Sequence, residues 1–373
     1  MAEVPAGLVR PALAGLVPYE PGKPVEEVQR ELGLERVVKL ASNEGPFEPF
    51  PAALAALERS AHELNRYPDG GAYRLRTALA NRHGVRFEEL AVGAGADGLI
   101  DGISQAVLDP GDQVVLGWPS FPSYVIYARK LGAEPVQVPL REHRYDLAAL
   151  LDAVTDRTKL VYVCHPNNPT GTINTRAELD SYFDRVPPHV LTVLDQAYFE
   201  YIDDPDYVDG IEAYVKAGQR VIVLRTFSKI YGLAGARVGY GVGPAELVTA
   251  LGKTRRAFDL ASPAQEAAVA SLDDPGELER RRARNLEGRS ELERILRDAG
   301  YKVAGPAVGN FLFVELGEDA QPWFEALLRE GVIVRPLAGF GATRAVRVTV
   351  GTPDEHVFFA RALAQMRTAA AAS

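Results

Sequence analysis

The sequence predicts an α/β protein: a doubly wound, mostly parallel sheet with helices on both faces, followed by a smaller α+β C-terminal domain. Three observations predict it. Short apolar runs, QVVLG, EPVQV, KLVYVC, LTVLDQ and RVIVLR, recur with mostly helical patterns between them, as strands buried on both faces do. Beyond about Ser262 the texture changes to a long charged helix and then the strands GNFLFVEL, GVIVRPL and AVRVTV. With 373 residues, 47% hydrophobic and 24% charged, the chain is long enough for two domains with separate cores.

In order along the chain, residues 1–45 read as an N-terminal arm that adds to the small domain, residues 46–262 as the large domain and residues 263–373 as the small C-terminal domain. The stretch to about Leu34 is rich in Pro and Gly and carries one amphipathic piece, Val25 to Leu32. VVKLASNEGPF gives a short β-run ending in a polar loop. The spacing of Leu54, Leu57, Ala61 and Leu64 predicts a helix over Pro51 to Leu64. A second helix runs from about Tyr73 to His83, and LAVGAGADGLIDGISQAVL reads as strand, glycine turn, helix. In the small domain, ELERRRARNLEGRSELERILRDAG carries an apolar seam at Leu286, Leu292, Ile295 and Leu296, and a further helix is expected over Pro322 to Glu330. The basic run Arg280 to Arg284 has acidic flanks and reads as a solvated helix face. AAAAS is a low-complexity tail.

The formal net charge of −9 argues against a nucleic-acid partner and against an anionic membrane surface. No run approaches the roughly 20 apolar residues of a membrane span, and the N-terminus lacks a signal design, so a cytoplasmic location is expected. The one cysteine, Cys164, excludes an internal disulfide and a cysteine-built metal site, and within LVYVC it reads as a small buried hydrophobe.

One stretch carries chemistry. TFSKIYGLAGAR, Thr226 to Arg237, follows the apolar run VIVLR, so Lys229 sits where a β-run gives way to a glycine-containing loop. Taken alone, Lys229 would be an exposed loop lysine. Its company is more informative: Thr226 and Ser228 supply hydroxyls, Gly232 and Gly235 permit close backbone approach, and Arg237 follows. Hydroxyls and a guanidinium converging on one point suit a phosphate group. An amine beside a phosphate site suits a phosphorylated aldehyde cofactor held as a Schiff base, and pyridoxal 5'-phosphate fits that description.

These residues, together with HPNNPTG from His165, VLDQAY from Val193, KLASNEGPFEP from Lys39, RYPDG from Arg66 and VRVTVGT from Val346, make the chain resemble the fold-type I pyridoxal-phosphate aminotransferases, and within them the histidinol-phosphate aminotransferase group. The six motifs stand in the family's order over nearly the whole chain. The resemblance implies a cofactor lysine at Lys229 and an aspartate at Asp195 that pairs with the protonated pyridine nitrogen. Asp195 ends the run LTVLDQ, at the sheet edge where open α/β sheets bind ligands; alone, it would read as a helix N-cap. Tyr198 and Asn168 resemble the pair that hydrogen-bonds the cofactor's phenolic oxygen, with Tyr198 counted among the catalytic residues. Phe121 resembles the aromatic residue stacked on the ring. The phosphate would be held by Thr226, Ser228 and Arg237 and by backbone N–H groups at Ala96 and Asp97, the latter's carboxylate reading as a cap because like charges repel.

Tyr67 resembles a tyrosine that reaches the phosphate of a neighbouring subunit, which implies a homodimer with composite sites. Arg347 resembles the arginine that grips the substrate carboxylate, and Arg335, on the preceding strand, a second that faces the substrate phosphate. Tyr19 and Asn43 resemble further pocket-lining positions. The implied activity is transamination in two half-reactions, histidinol phosphate giving up its amine and 2-oxoglutarate accepting it, with Lys229 as acid and base. An aromatic amino-acid aminotransferase is the nearest rival. A carboxyl-lyase and a non-catalytic cofactor-binding regulator are others, although the latter would need a DNA-binding module that is not visible before Tyr19. Gln196, Gly98 and Gly45 depart from the family's usual Glu, acid and Asn, and the segment AFDLASPAQ after Arg256 lacks its usual P-[FY]-N; these departures bear on the substrate.

Overall fold

The structure, a computed structural model, describes residue 7 and residues 9 to 372. The start of the expected arm and the last residue of the AAAAS tail lie outside the described residues. After a single helical turn at Pro11–Ala14, the chain forms a helix at Val25–Leu32, as the amphipathic pattern predicts, and a two-residue strand β1 (Val38–Lys39). Seven strands then build the large sheet: β2 (Leu90–Gly93), β3 (Gln113–Trp118), β4 (Glu134–Pro139), β5 (Thr158–Cys164), β6 (Leu191–Asp195), β7 (Val221–Thr226) and β8 (Gly239–Val242). Their order is β2-β8-β7-β6-β5-β3-β4, and β8 alone runs antiparallel to its neighbours. Val114, Val161, Val193 and Val223 are buried completely, as expected of parallel strands covered by helices on both faces.

The second layer comprises β9 (Lys302–Val303), β10 (Phe311–Glu315), β11 (Val332–Ile333), β12 (Arg335–Leu337) and β13 (Ala342–Thr349). GVIVRPL, expected as one strand, is two. Its first half, β11, pairs in parallel with β1, and its second half, β12, pairs antiparallel with β13 at the edge of a sheet ordered β12-β13-β10-β9. Pro336 has no N–H to give a further neighbour, which suits an edge position. The helix Val25–Leu32 and β1 supply Val28 and Val38 to the core of this layer, alongside Leu292, Leu296 and Phe359.

Helix ends differ from the sequence pattern in physically simple ways. The helix expected over Pro51 to Leu64 closes at Ala61, because the Leu64 side chain is exposed and has no core to reach. The helix expected from Pro322 begins at Ala320, because the Asp319 carboxylate caps it by accepting from the Gln321 N–H. The helix Ser262–Leu272 packs on Pro51–Ala61 and Tyr73–His83, and its Ala264, Ala267 and Ala268 join the large core. The long helix Pro275–Asp298 carries its seam at Leu292 and Leu296, whereas Leu286 is 48% exposed.

That helix also corrects the reading of Arg280 to Arg284 as a solvated face at one position: Arg280, Ala283 and Arg284 are exposed, but Arg281 is not. Arg281 is 4% exposed; its guanidinium pairs with Glu277 at 2.6 Å and donates to the Ile230 and Glu48 carbonyls at 3.0 and 2.6 Å. A guanidinium spreads its N–H donors around a planar fork and so reaches three acceptors on different sides at once, which the compact ammonium of a lysine cannot span. No helix among the described residues is long and apolar enough to cross a membrane.

Candidate active site

The carboxyl ends of β5, β6 and β7 lie side by side, with Cys164 opposite Asp195 and Asp195 opposite Leu224. A cavity of about 130 Å³ opens at this edge. Ten of the positions the resemblance assigned to a cofactor line it: Lys229, Asp195 and Tyr198 in the middle, Asn168 and Phe121 at the sides, and Thr226, Ser228, Arg237, Ala96 and Asp97 at one end. Tyr67, the eleventh, is elsewhere on the protomer. It is 81% exposed and stacked on Phe258 with ring centroids 4.5 Å apart.

Lys229 follows β7 by three residues, on a loop tied back by Arg281. Its Nζ donates to the Asn43 carbonyl at 3.2 Å and lies 5.4 Å from the centre of the Tyr198 ring. Burial, and next the positive charge of Arg347, lower its pKa to about 7. The amine is therefore a nucleophile and base near neutrality, which an ordinary surface lysine is not.

Asp195 is buried, and both of its oxygens are engaged. Oδ2 accepts from the Tyr124 hydroxyl at 2.7 Å and Oδ1 from the Ala197 N–H at 3.1 Å. Desolvation raises its pKa; the two hydrogen bonds and the nearby Lys229 work against that rise. The Tyr198 hydroxyl accepts from Asn43 Nδ2 at 2.9 Å, leaving its own proton for another acceptor, and burial raises its pKa above the phenol range.

At the far end the hydroxyls cluster. Thr226 donates to Ser228 at 3.0 Å, and Arg237 approaches Ser228 Oγ at 3.4 Å. The Arg237 guanidinium lies over the first turn of the helix Gly95–Val107 so closely that a Cβ on Gly95 would come within 2.7 Å of Nη2. That turn offers N–H groups without intrahelical partners. Asp97 does not cap it. The Asp97 carboxylate accepts from the Tyr127 hydroxyl at 2.7 Å, and its other oxygen is buried without a partner.

The side on which the resemblance places the substrate is built by the smaller layer. Arg335 and Arg347 are direct partners across β12 and β13, so their side chains leave the same face of the sheet. Arg347 is buried, donating to Asn168 Oδ1 at 2.5 Å and to the Ala41 carbonyl at 2.8 Å, and burial lowers its pKa to about 10. Arg335 donates to the Glu20 carbonyl of the arm and lies 5.4 Å from the ring centres of both Tyr19 and Phe340. Asn43, at a left-handed φ of 52°, links Tyr198 to Thr349 Oγ1, from which its Oδ1 accepts at 3.1 Å.

Two of the departures have local reasons. A Cβ on Gly45 would meet the Lys229 carbonyl at 3.2 Å, so a larger residue would push against the lysine loop. Gln196 is buried and points away from the cavity, donating to the Val208 carbonyl at 2.7 Å and accepting from the Gly210 N–H at 3.1 Å. Sequence reasoning missed Tyr124, Tyr127 and Arg281. Tyr124 and Tyr127 are three apart on the helix Ser123–Lys130 and so face the same way, a spacing visible in FPSYVIY.

The residues suit pyridoxal phosphate by chemistry: hydroxyls, a guanidinium and a helix N-terminus for a phosphate dianion, a buried carboxylate for a cationic ring nitrogen, and an amine of lowered pKa for an aldehyde. Among the described residues no cluster of His, Cys, Asp and Glu is arranged to hold a metal ion.

A lysine, a buried aspartate and an anion cradle at the carboxyl edge of such a sheet define an enzyme of amine chemistry. Residues 35–363 match the aminotransferase class I and II family, and the chain belongs to that family. It is 45% identical over 358 residues to a histidinol-phosphate aminotransferase of Moorella thermoacetica, covering 96% of this chain and 92% of that one. It is also 45% identical, over 95% of its length and 98% of the other's, to an aromatic amino acid aminotransferase of Mycobacteroides abscessus. Among solved structures, the histidinol-phosphate aminotransferase of Sinorhizobium meliloti in complex with pyridoxal 5'-phosphate superposes with a TM-score of 0.88 at 30% identity, covering 97% and 98% of the two chains.

Proposed function

We propose that the protein is a pyridoxal-phosphate-dependent aminotransferase that takes the amine of histidinol phosphate and gives it to 2-oxoglutarate. The observation that carries the substrate assignment is the register of Arg335 and Arg347. Two guanidiniums side by side on one face repel each other, and a dianion relieves that repulsion. Histidinol phosphate brings a doubly charged phosphate and 2-oxoglutarate two carboxylates, so both engage the pair. Phenylalanine brings one carboxylate and a neutral ring.

Bound in the cavity, pyridoxal phosphate supplies an aldehyde for the substrate amine and a ring that accepts electrons from the α-carbon. Lys229 would hold the cofactor, and its freed Nζ would carry the proton from the donor's amine-bearing carbon to the cofactor's aldehyde carbon, and in the reverse direction for the acceptor. Asp195 keeps the ring nitrogen protonated. Thr226, Ser228, Arg237 and the N–H groups of Ala96 and Asp97 bind the phosphate, Tyr198 and Asn168 donate to the phenolic oxygen, and Phe121 covers one ring face. Asn43 orients Tyr198, while Tyr19 and Arg335 close the substrate side. A homodimer with composite sites is part of this reading, supported by the exposed stack of Tyr67 and Phe258. The buried Cys164 suits a reducing, cytoplasmic setting.

A second reading, transamination of phenylalanine or tyrosine, is favoured by the aromatic wall of Tyr19, Phe121 and Phe340. Competition of histidinol phosphate against phenylalanine, with 2-oxoglutarate as acceptor, separates the two. The proposal expects kcat/KM to favour histidinol phosphate by about 100-fold, and Arg335→Gln to remove most of that preference, because a site built for a charged group rejects substrates lacking it. A preference for phenylalanine overturns it. The wild type should also show a cofactor absorbance band that borohydride fixes to the protein and that Lys229→Ala abolishes.

A further inference from the structure

Asp195 is held by more than its own strand. The Tyr124 hydroxyl, completely buried on the helix Ser123–Lys130, donates to Oδ2 at 2.7 Å across 71 positions of sequence. The Tyr124 ring is fixed on both sides. It stacks on Tyr162 with centroids 4.3 Å apart and meets Phe121 edge-on at 5.6 Å. The hydroxyl therefore has little freedom, and its hydrogen bond is available to the carboxylate at no further cost in ordering. Lys229 and Asp97 also act on Asp195 electrostatically, and Cys164 lies beside it on β5. A completely buried hydroxyl aimed at a buried carboxylate favours the charged form of the acid.

We propose that Tyr124 is a positioning residue of this enzyme: its hydroxyl keeps the Asp195 carboxylate ionised and turned toward the cofactor's ring nitrogen, while its ring braces Phe121 on the cofactor's flank. The inference rests on the assignment of the cavity to pyridoxal phosphate. It extends that assignment to a residue of the surrounding shell, which works through Asp195 rather than on the substrate.

The test is Tyr124→Phe, which removes one oxygen and keeps the ring, compared in the cofactor-loaded enzyme with wild type and with Tyr162→Phe. Tyr162 stacks on the same ring but shares its hydroxyl with Ser104 at 3.3 Å, not with Asp195. Three readouts are followed: the cofactor's dissociation constant, the acid-side pH at which its absorbance is lost, and kcat separately from KM. For Tyr124→Phe the expected results are a dissociation constant raised about tenfold, an acid midpoint moved up by about one pH unit, and kcat lowered at least tenfold with KM within about threefold. Tyr162→Phe should leave the midpoint in place, since packing alone does not set it.

In an Asp195→Asn background, removing the Tyr124 hydroxyl should change cofactor affinity no further, because the two act as a unit. A midpoint and affinity equal to wild type in Tyr124→Phe, or additive losses in the double variant, overturn the inference. Failure of the wild type to bind pyridoxal phosphate overturns the functional assignment instead, so the two failures are distinguishable.

Discussion

A lysine that must both hold an aldehyde and move protons needs a neutral amine at working pH, and the surroundings of Lys229 provide one. Burial is the larger cause and Arg347 the second, and together they bring the pKa to about 7. The sign is definite: the neutral, reactive fraction of the free amine grows as pH rises through about 7, rather than through the ordinary lysine range. In cofactor-free protein, the rate of Lys229 acylation, read by peptide mass spectrometry, should therefore rise with a midpoint near pH 7. Arg347→Gln should move that midpoint upward, and a midpoint left near 10.5 in the wild type would contradict the site's electrostatics. At Asp195 the expected effect is on chemistry. Asp195→Asn should lower kcat on the order of a thousandfold, the scale on which removing one group that stabilises developing charge is felt. That Lys229, Asp195 and Thr226 meet at one edge of the sheet was legible in the sequence for one shared reason, while the role given to Asp195 came from the family resemblance. Each stands at or just beyond the end of an apolar β-run, and chain position alone then places it at the ligand-binding edge of the sheet.

At the scale of elements, the long helix Pro275–Asp298 does more than bridge the two cores. Its Arg281 fastens the loop that carries Lys229 through the Ile230 carbonyl, and the loop before the helix Pro51–Ala61 through the Glu48 carbonyl. Glu277 keeps Arg280 as a partner when Arg281 is removed, so the loss falls on the two carbonyls and on packing against Phe50. Arg281→Ala should cost about 3 kcal/mol of stability by denaturant unfolding and weaken cofactor retention. Arg281→Lys should recover little, because an ammonium cannot span the same acceptors. Sequence periodicity could not have found this residue. Its charge put it in a solvated run, and its acceptors are 51 and 233 positions away. For Tyr127 the facing side of its helix was visible, but its partner Asp97 stands 30 positions away, and the split of GVIVRPL into two strands depended on β1 arriving from the opposite end of the chain.

For the whole molecule, the site is assembled from both cores. Arg347 comes from the smaller layer yet donates to Asn168 of the large one, and Asn43 joins Tyr198 to Thr349 across the same boundary. In the proposed dimer the phosphate end would be completed by Tyr67, which does not line the cavity of its own protomer. Tyr67 and Phe258 form an aromatic pair on the surface, 81% and 47% exposed, and an aromatic pair left so open is suited to an interface. If Tyr67 completes the site of a second copy, a two-fold dimer exchanges these residues reciprocally. Complementation tests this directly. Lys229→Ala and Tyr67→Ala homodimers should each be weak or inactive. In a heterodimer of the two, one site contains both substitutions and the other neither. Unfolding and refolding an equal mixture gives about half heterodimers, each with one intact site, so activity should return to about a quarter of wild type. A mixture no more active than its components, with dimers verified by sedimentation, would place Tyr67 outside the partner's site.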